Sequence, residues 1–373
     1  MDKHLHIISL DVPWPVDYGG VVDLFYKLKY LHRLGVKIHL HCFTNGRPEQ
    51  DELKKYCESV HYYQRRPNQK SFSLSLPLIV SSRISDALLQ NLQKDNYPVL
   101  LEGIHCSYYL YKNLLQDRKV LLRLHNVEFA YYRHLAKHEK NWFKKLYFFY
   151  ESLLLRRYEK NIADKCPVIA VSMEDANVYR NLFGAPEVHY LPVFIPHTLA
   201  TGKEGKGCYC LYHGNLSVNE NEAAATWLLE QVFNDIEIPF VIAGKNPSKK
   251  LEEKAHRHQH TCMVANPGGR EMQDMISKAQ IHVLPSFNST GVKLKLLNAL
   301  FNGRHCVVNK KGVEGSGLEY ACNIEEGAAA FKKAVTKLYV EPFTEDEKQQ
   351  RQGLLLSQYN NEANALQLMK WLY

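Results

Sequence analysis

The 373-residue sequence contains no CxxC pair among its nine cysteines, no apolar run of about 18 residues or more, and no low-complexity tract or short-period repeat. Scattered thiols in odd number argue against a disulfide framework and suit a reducing, cytoplasmic compartment. The lack of a long apolar run argues against a transmembrane helix, and the opening MDKHLHIISLDVP reads as a first strand rather than a secretory signal. The turn after that strand, DVPWPVDYGG, lacks G-x-G-x-x-G, and the P-loop pattern is absent as well. A dinucleotide site in its usual place is therefore not expected. Negative charge is in deficit: the net charge is +8 with all eighteen histidines neutral. That balance favours an anionic partner, be it nucleotide, nucleic acid or phospholipid surface.

What is present is a rhythm. Strand-like runs at 4–10, 36–43, 98–103, 119–125 and 167–172 alternate with helix-length segments, the first helix running from about Gly20 to Leu34. The rhythm stops around PVFIPHTLATGKEGKG (192–207) and restarts with runs at 208–214, 239–244, 261–265, 279–285 and 304–308. Alternation of this kind predicts α/β architecture, with parallel sheets covered on both faces. We expect two Rossmann-like αβα domains facing each other across a deep cleft: an N-terminal domain over 1–195, a linker over 196–207 and a second domain over 208–355. A C-terminal amphipathic helix over 356–373 is expected to pack back toward the first domain. Ligand binding is expected in the cleft, at the carboxyl ends of the strands.

The stretch SFNSTGVKLKLLNALFNGRHCVV (286–308) carries the sharpest local signal. A strand runs into a loop of small residues, and a helix follows with Lys293 and Lys295 in its first turns. A helix start already carries partial positive charge, so cations there are mildly disfavoured. A phosphate group held between free amides, a close-approaching Gly291 and two lysines would make the arrangement useful. Two solvated surface lysines are the plainer alternative.

These residues carry a resemblance. TGVKLKLLNALFNGRHCVV is similar to the donor-binding segment of GT-B glycosyltransferases, specifically the family-4 group of retaining enzymes, which often reads G-x-(K/R)-x-K-x-x-E-A-x-x-x-G-x-P-V-V. AQIHVLPS, YHGNLSVNENEAAATWLLEQV (212–232) and FVIAGKNPS (240–248) resemble other parts of that C-terminal domain. PWPVDYGG and LRLHNVEFAYYRHLA resemble the family's glycine turn and its histidine-containing acceptor-side loop.

The resemblance implies a metal-independent, hexosyltransferase-type enzyme that takes a nucleotide sugar as substrate, without a cofactor, and serves polysaccharide or glycoconjugate biosynthesis. By position, Lys293 and Lys295 would face the donor diphosphate, and Thr290, Gly291 and Val292 would lie at the sugar and phosphates. Gly19 and Gly20 would close over the diphosphate, and Gly214 and Asn215 would line the cleft. His125 would stand near the transferred sugar, and Glu102, at a strand end, is a candidate base or orienting group for an acceptor hydroxyl. The family's paired glutamates are replaced here by Thr290 and Asn298, the latter at the ribose position, and Asn215 stands where an arginine is common. These departures keep two alternatives open: a nucleotide-sugar epimerase on the same fold, and a catalytically silent sugar-nucleotide-binding partner of another transferase.

Two further features are basic. HRHQH (256–260) falls on a charged helix end without carboxylate or cysteine at ligand spacing, which reads as solvated surface rather than a metal site. The segment 131–160 carries eight lysines and arginines with nine aromatics on one long or broken helix. Burial against its own sheet is one reading. Peripheral contact of this segment with an anionic membrane, at the inner face of the cell membrane, is the other, and it suits the glycan or lipid-linked acceptor that the resemblance implies. No nucleic-acid motif accompanies it.

Overall fold

The protein is described by a computed structural model covering residues 2–288 and 291–373. It divides into two compact units, one of residues 1–196 and 359–373, the other of 197–358. In the first unit, β1 (Lys3–Ser9), β2 (Val36–Thr44), β3 (Ser59–Gln64), β4 (Val99–Glu102), β5 (Val120–Leu124), β6 (Val168–Ala170) and β7 (Val188–Tyr190) form a sheet in the order β3-β2-β1-β4-β5-β6-β7. Every pairing in it is parallel. In the second unit, β8 (Cys210–Asn215), β9 (Phe240–Lys245), β10 (Thr261–Ala265), β11 (Ile281–Val283), β12 (His305–Val308) and β13 (Asn323–Ile324) repeat the pattern as β10-β9-β8-β11-β12-β13. These pairings are parallel too. The α/β class and the two Rossmann-like sheets expected from the sequence are what the structure contains.

The central strands were legible because both faces are covered: β4 and β5 are buried at every position, so they read as mostly apolar runs with one charged residue each, Glu102 and Arg123. Three strands were missed, β3, β7 and β13, and all are sheet edges. β7 has three half-buried residues and β13 two exposed ones, too short and too polar to give a period.

On one face of the first sheet, Leu5 and Ile7 pack with Leu24 and Leu28 of the Gly19–Arg33 helix and with Ala365, Leu368 and Leu372 of the Asn361–Leu372 helix. On the other face, Ile8, Leu101 and Leu122 meet Leu155 and Ile162. The non-periodic stretch 192–207 is not loose. The Phe194 amide donates to Asp23 at 2.7 Å in the first unit, while in the second the Thr201 amide donates to Phe301 O at 2.6 Å and Gly205 bridges Phe343. Its hydrogen bonds go to side chains and isolated partners, which leave no repeat in the sequence.

A run of histidines crosses β1 and β2 on the Ile8 face. Neutral imidazoles, each donating at one nitrogen and accepting at the other, satisfy a single directional chain there. Asn91 Nδ2 donates to Tyr63 Oη (2.8 Å), Tyr63 to His41 Nδ1 (2.9 Å), His41 Nε2 to His6 Nδ1 (2.8 Å) and His6 Nε2 to Asp95 (3.0 Å). Burial pushes His6, His39 and His41 below the ordinary histidine range, His41 to about 2. A proton added to His41 would place two donors against each other and a charge in the core. The unfolded chain, whose histidines titrate near 6.5, therefore gains protons that the folded chain refuses, and stability falls as pH drops below about 6.5. For His41 alone the expected loss is about 1.4 kcal/mol per pH unit between about 6 and 3. Urea denaturation across that range should show the slope in the native chain and a shallower one in His41→Asn; equal slopes would contradict the relay.

Candidate functional site

Strand order reverses between β1 and β4 in the first unit and between β8 and β11 in the second. In open parallel sheets such switch points leave a crevice at the carboxyl ends of the strands, where ligands bind. Each of the described site residues expected from the sequence lies at or just beyond one of these two places.

In the first unit, β1 leads through DVPWPVDYGG to the Gly19–Arg33 helix. Arg47 shapes this loop by donating to Val12 O (3.1 Å) and Pro15 O (2.9 Å) and by pairing with Asp17. Gly19 is exposed and Gly20 half-buried at the helix start, where Tyr18 takes the extended N-cap position. One turn further on, the helix turns charge inward. Asp23 receives both Nε and Nη2 of Arg123 at 2.9 Å, together with Lys27 Nζ at 2.9 Å. Lys27 also donates to Glu102 Oε1 at 2.6 Å. His125 Nε2 lies 3.0 Å from Glu102 Oε2, and its Nδ1 lies 4.0 Å from Asp23.

The burial is deep: Asp23, Lys27 and Arg123 are fully enclosed and Glu102 is 1% exposed. Burial by itself would raise both carboxyls, but Arg123 and Lys27 hold Asp23 well below the carboxylate range, and Lys27 with His125 holds Glu102 down. Asp23, Glu102 and His125 lie close enough together to suggest a metal cage. Lys27 and Arg123 already occupy the carboxylate oxygens, however, so an added cation would meet two fixed positive charges. The donor set fits an ion-pair network. Glu102 was expected as a candidate base or orienting group for an acceptor hydroxyl, with an ion pair as the plainer alternative; it is enclosed, with Lys27 on one carboxylate oxygen and His125, whose ring is the partly open member, on the other.

In the second unit, β8 ends in Gly214 and the exposed Asn215. Asn215 folds its side chain into the following turn, accepting from Ser217 N (3.1 Å) and Ser217 Oγ (2.8 Å). The strands approach closely here: a Cβ on Gly244 would stand 2.0 Å from Gly214 O. After β11 the chain reaches Thr290, which lies outside the described residues, and then Gly291 at φ +65, a left-handed conformation that glycine adopts without penalty. Val292 and Lys293 are half-buried.

The helix runs from Leu294 to Asn302, so Lys293 is its N-cap, in extended conformation (φ −85, ψ 95), rather than a first-turn residue. The two lysines are not successive members of one helical wheel. Lys295 Nζ turns inward, donating to Tyr212 Oη (3.1 Å) and Asn221 Oδ1 (3.0 Å) and lying 4.6 Å from the centre of the Tyr212 ring. Among the described residues no carboxylate pairs with it. Burial, with Lys293 adding repulsion and Glu220 opposing in part, lowers its pKa to about 7. Asn298, expected at a ribose, accepts from Asn302 Nδ2 at 2.8 Å, and Asn302 in turn accepts from Thr201 at 2.8 Å. Its oxygen thus has a neighbour within the unit.

Two sheets of one order, each with its polar residues at the switch point, define a GT-B architecture, and solved structures of that fold align over almost all of the chain. Sucrose-phosphate synthase from Thermosynechococcus elongatus is similar with a TM-score of 0.70 at 15% identity, covering 99% of this chain and 98% of that one. Anabaena Alr3699/HepE, in complex with UDP and glucose, gives 0.66 at 11% identity, covering 99% of each. A mutant of S. aureus TarM, in complex with fondaparinux, alpha-GlcNAc-glycerol and UDP, gives 0.67 at 10%, covering 99% of each. The family likeness is carried by the second unit: residues 207–341 match the family described as glycosyl transferases group 1, in line with the resemblance seen in the sequence. A Klebsiella pneumoniae chain described as an uncharacterized 44.6 kDa protein in the cps region is 28% identical over 334 residues, 84% of each chain.

Sequence reasoning missed Asp23, Lys27, Arg123, Tyr212 and Asn221. A signal existed for the first three. Asp23 and Lys27 stand i, i+4 inside GGVVDLFYKLKYL, among residues that bury, and Arg123 interrupts the apolar strand VLLRL. A charge at a buried position demands a partner. Breaking such a pair strands the other charge, at about 3–5 kcal/mol. Lys27→Met should therefore destabilise the chain by that order, and adding Glu102→Gln should return part of the loss. A urea-denaturation double-mutant cycle measures the coupling, and additive losses would exclude it.

Proposed function

We propose that the chain is a retaining glycosyltransferase of the family-4 type. It moves a sugar from a nucleoside-diphosphate donor to a glycan or lipid-linked acceptor in polysaccharide or glycoconjugate biosynthesis. The observation that carries this reading is Lys295: a half-buried lysine whose ammonium donates to a hydroxyl and an amide oxygen, with no carboxylate within ion-pair distance among the described residues, placed one turn after a left-handed glycine at a helix start. A buried cation without a counter-charge is costly unless a ligand supplies one. The group 1 match over this segment, the cps-region relative, and the UDP in the Anabaena and S. aureus complexes support a nucleoside diphosphate as that anion.

In this mechanism Lys295 and the amides after Gly291 neutralise the charge that grows on the diphosphate as the glycosidic bond breaks. The departing phosphate oxygen takes the acceptor's proton while the acceptor oxygen bonds to the anomeric carbon on the same face. That assignment asks neither a metal nor a pair of carboxylates of the protein. His125, oriented by Glu102 and backed by Lys27, contacts the transferred sugar. Lys293, at the mouth of the turn, contributes less than Lys295.

Thermal shift with UDP, GDP, ADP and CMP chooses the base, since a ligand at one hundred times its dissociation constant stabilises by about 2.7 kcal/mol. Because Lys295 titrates near 7 when free and the diphosphate needs its charged form, affinity should fall by up to about tenfold per pH unit above 7. Lys295→Arg should flatten that dependence. Lys295→Ala should lower turnover at least about a hundredfold, the loss of one charge-stabilising group. A pH-independent affinity together with full turnover in Lys295→Ala would refute the assignment.

A further inference from the structure

The basic aromatic segment breaks into two helices, Glu128–His138 and Trp142–Ile162, the second capped by Asn141, whose side chain accepts from the Phe143 and Lys144 amides. The second helix buries Leu155, Tyr158 and Ile162 but leaves other large apolar residues outside. Trp142, Leu146, Phe149 and Leu153 are 60%, 55%, 51% and 51% exposed. Their spacing of i, i+4, i+7 and i+11 places them on one stripe, turned outward. Beside the stripe, Tyr150 Oη donates to Leu74 O at 3.0 Å, and this bond sets against the helix a loop whose Phe72 and Leu74 are 64% and 74% exposed. An apolar patch of this kind on a folded surface calls for a cover.

The charges on the same helix are sorted. Both of its carboxylates point inward: Glu151 accepts from the Leu78 amide, and Glu159 from the Glu128 and Phe129 amides and from Tyr179. All of its cations, Lys144, Lys145, Arg156, Arg157 and Lys160, are exposed. Arg156, Arg157 and Lys160 continue the apolar stripe toward the helix C-terminus, and the nearest preceding acid, Glu139, is taken by the Asn141 amide at 2.9 Å. The outward face therefore combines aromatic and aliphatic bulk with positive charge alone. Two copies of it would repel each other, and a soluble acidic partner would leave the apolar stripe without a reason.

We propose that the outward face of the Trp142–Ile162 helix, with the Phe72–Leu74 loop, docks on an anionic lipid surface. Trp142, Leu146, Phe149 and Leu153 enter the boundary between headgroups and acyl chains, and Arg156, Arg157 and Lys160 meet the lipid phosphates. Aromatic rings suit that boundary, and an in-plane helix binds by apolar burial together with attraction to anionic lipid. The docking surface is thus narrower than the segment 131–160: the Glu128–His138 helix contributes exposed Arg133 and Lys137 but no stripe.

The test is flotation of the full chain with phosphatidylcholine vesicles, with and without phosphatidylglycerol, at low and high salt. Binding is expected only with the anionic lipid and should be lost at high salt. Arg156→Gln with Arg157→Gln should weaken it roughly thirtyfold, about fivefold for each charge. Leu146→Gln with Phe149→Gln should abolish insertion, read as loss of the Trp142 fluorescence shift and of its quenching by brominated lipid, with Trp142→Phe identifying the signal. Thermal melts confirm that each variant folds. Equal recovery on neutral vesicles, unchanged binding in both double variants, or a dimer in sedimentation that the Leu146/Phe149 pair disrupts while flotation is absent would each overturn the proposal. The readouts need no turnover, so their failure is separate from failure of the transferase assignment.

Discussion

Asp23 is the residue on which the first unit turns. One enclosed carboxylate receives the Arg123 guanidinium from β5, Lys27 from its own helix and the Phe194 amide from the chain that leaves the sheet. Helix, strand and exit segment are thereby fixed by groups that could not tolerate burial alone. The second carboxylate, Glu102, extends the network through Lys27 to His125 at the carboxyl end of β5. Two acids and two bases cancel inside the core, and the one ring that reaches the crevice is held by them. The arrangement places a polar side chain at a switch point without spending an open carboxylate there.

The second unit solves the opposite problem. Its cation, Lys295, is enclosed by Tyr212 and Asn221, which offer hydrogen bonds and an aromatic face but no negative charge. The contrast is between a core in one unit whose charges are paired by the fold and, in the other, a half-buried lysine held by a hydroxyl and an amide, with the Glu220 charge acting on it from further off.

Much of this was legible beforehand. Central strands read as apolar runs because both faces of a parallel sheet are covered, and the helix expected within the stretch 286–308 is there over Leu294–Asn302. Three of the four edge strands did not read so, since their solvated sides or short lengths leave no clear apolar run; β10, at the fourth edge, did. The ion pair of Glu102 could be named beforehand only as an alternative, because its partner Lys27 stands 75 positions earlier. Both lysines were expected in the helix's first turns, pointing in different directions with Lys295 the deeper; Lys295 does turn inward, but the left-handed Gly291 and the extended N-cap Lys293 put Lys293 ahead of the helix.

The sequence by itself determined the class of fold, the order of its central strands along the chain and the family likeness of its C-terminal half, because periodicity and short motifs are local properties. Tertiary structure alone decided which charges face each other. Asp23 and Arg123 are 100 positions apart, and Lys295 and Tyr212 are 83 apart. No local pattern records such pairings, since they exist only once parallel strands have brought distant segments to one end of a sheet. The same holds for the Trp142–Ile162 helix: its composition is basic and aromatic in any context, but only packing could turn the glutamates inward and leave the tryptophan, the leucines and the arginines on the surface.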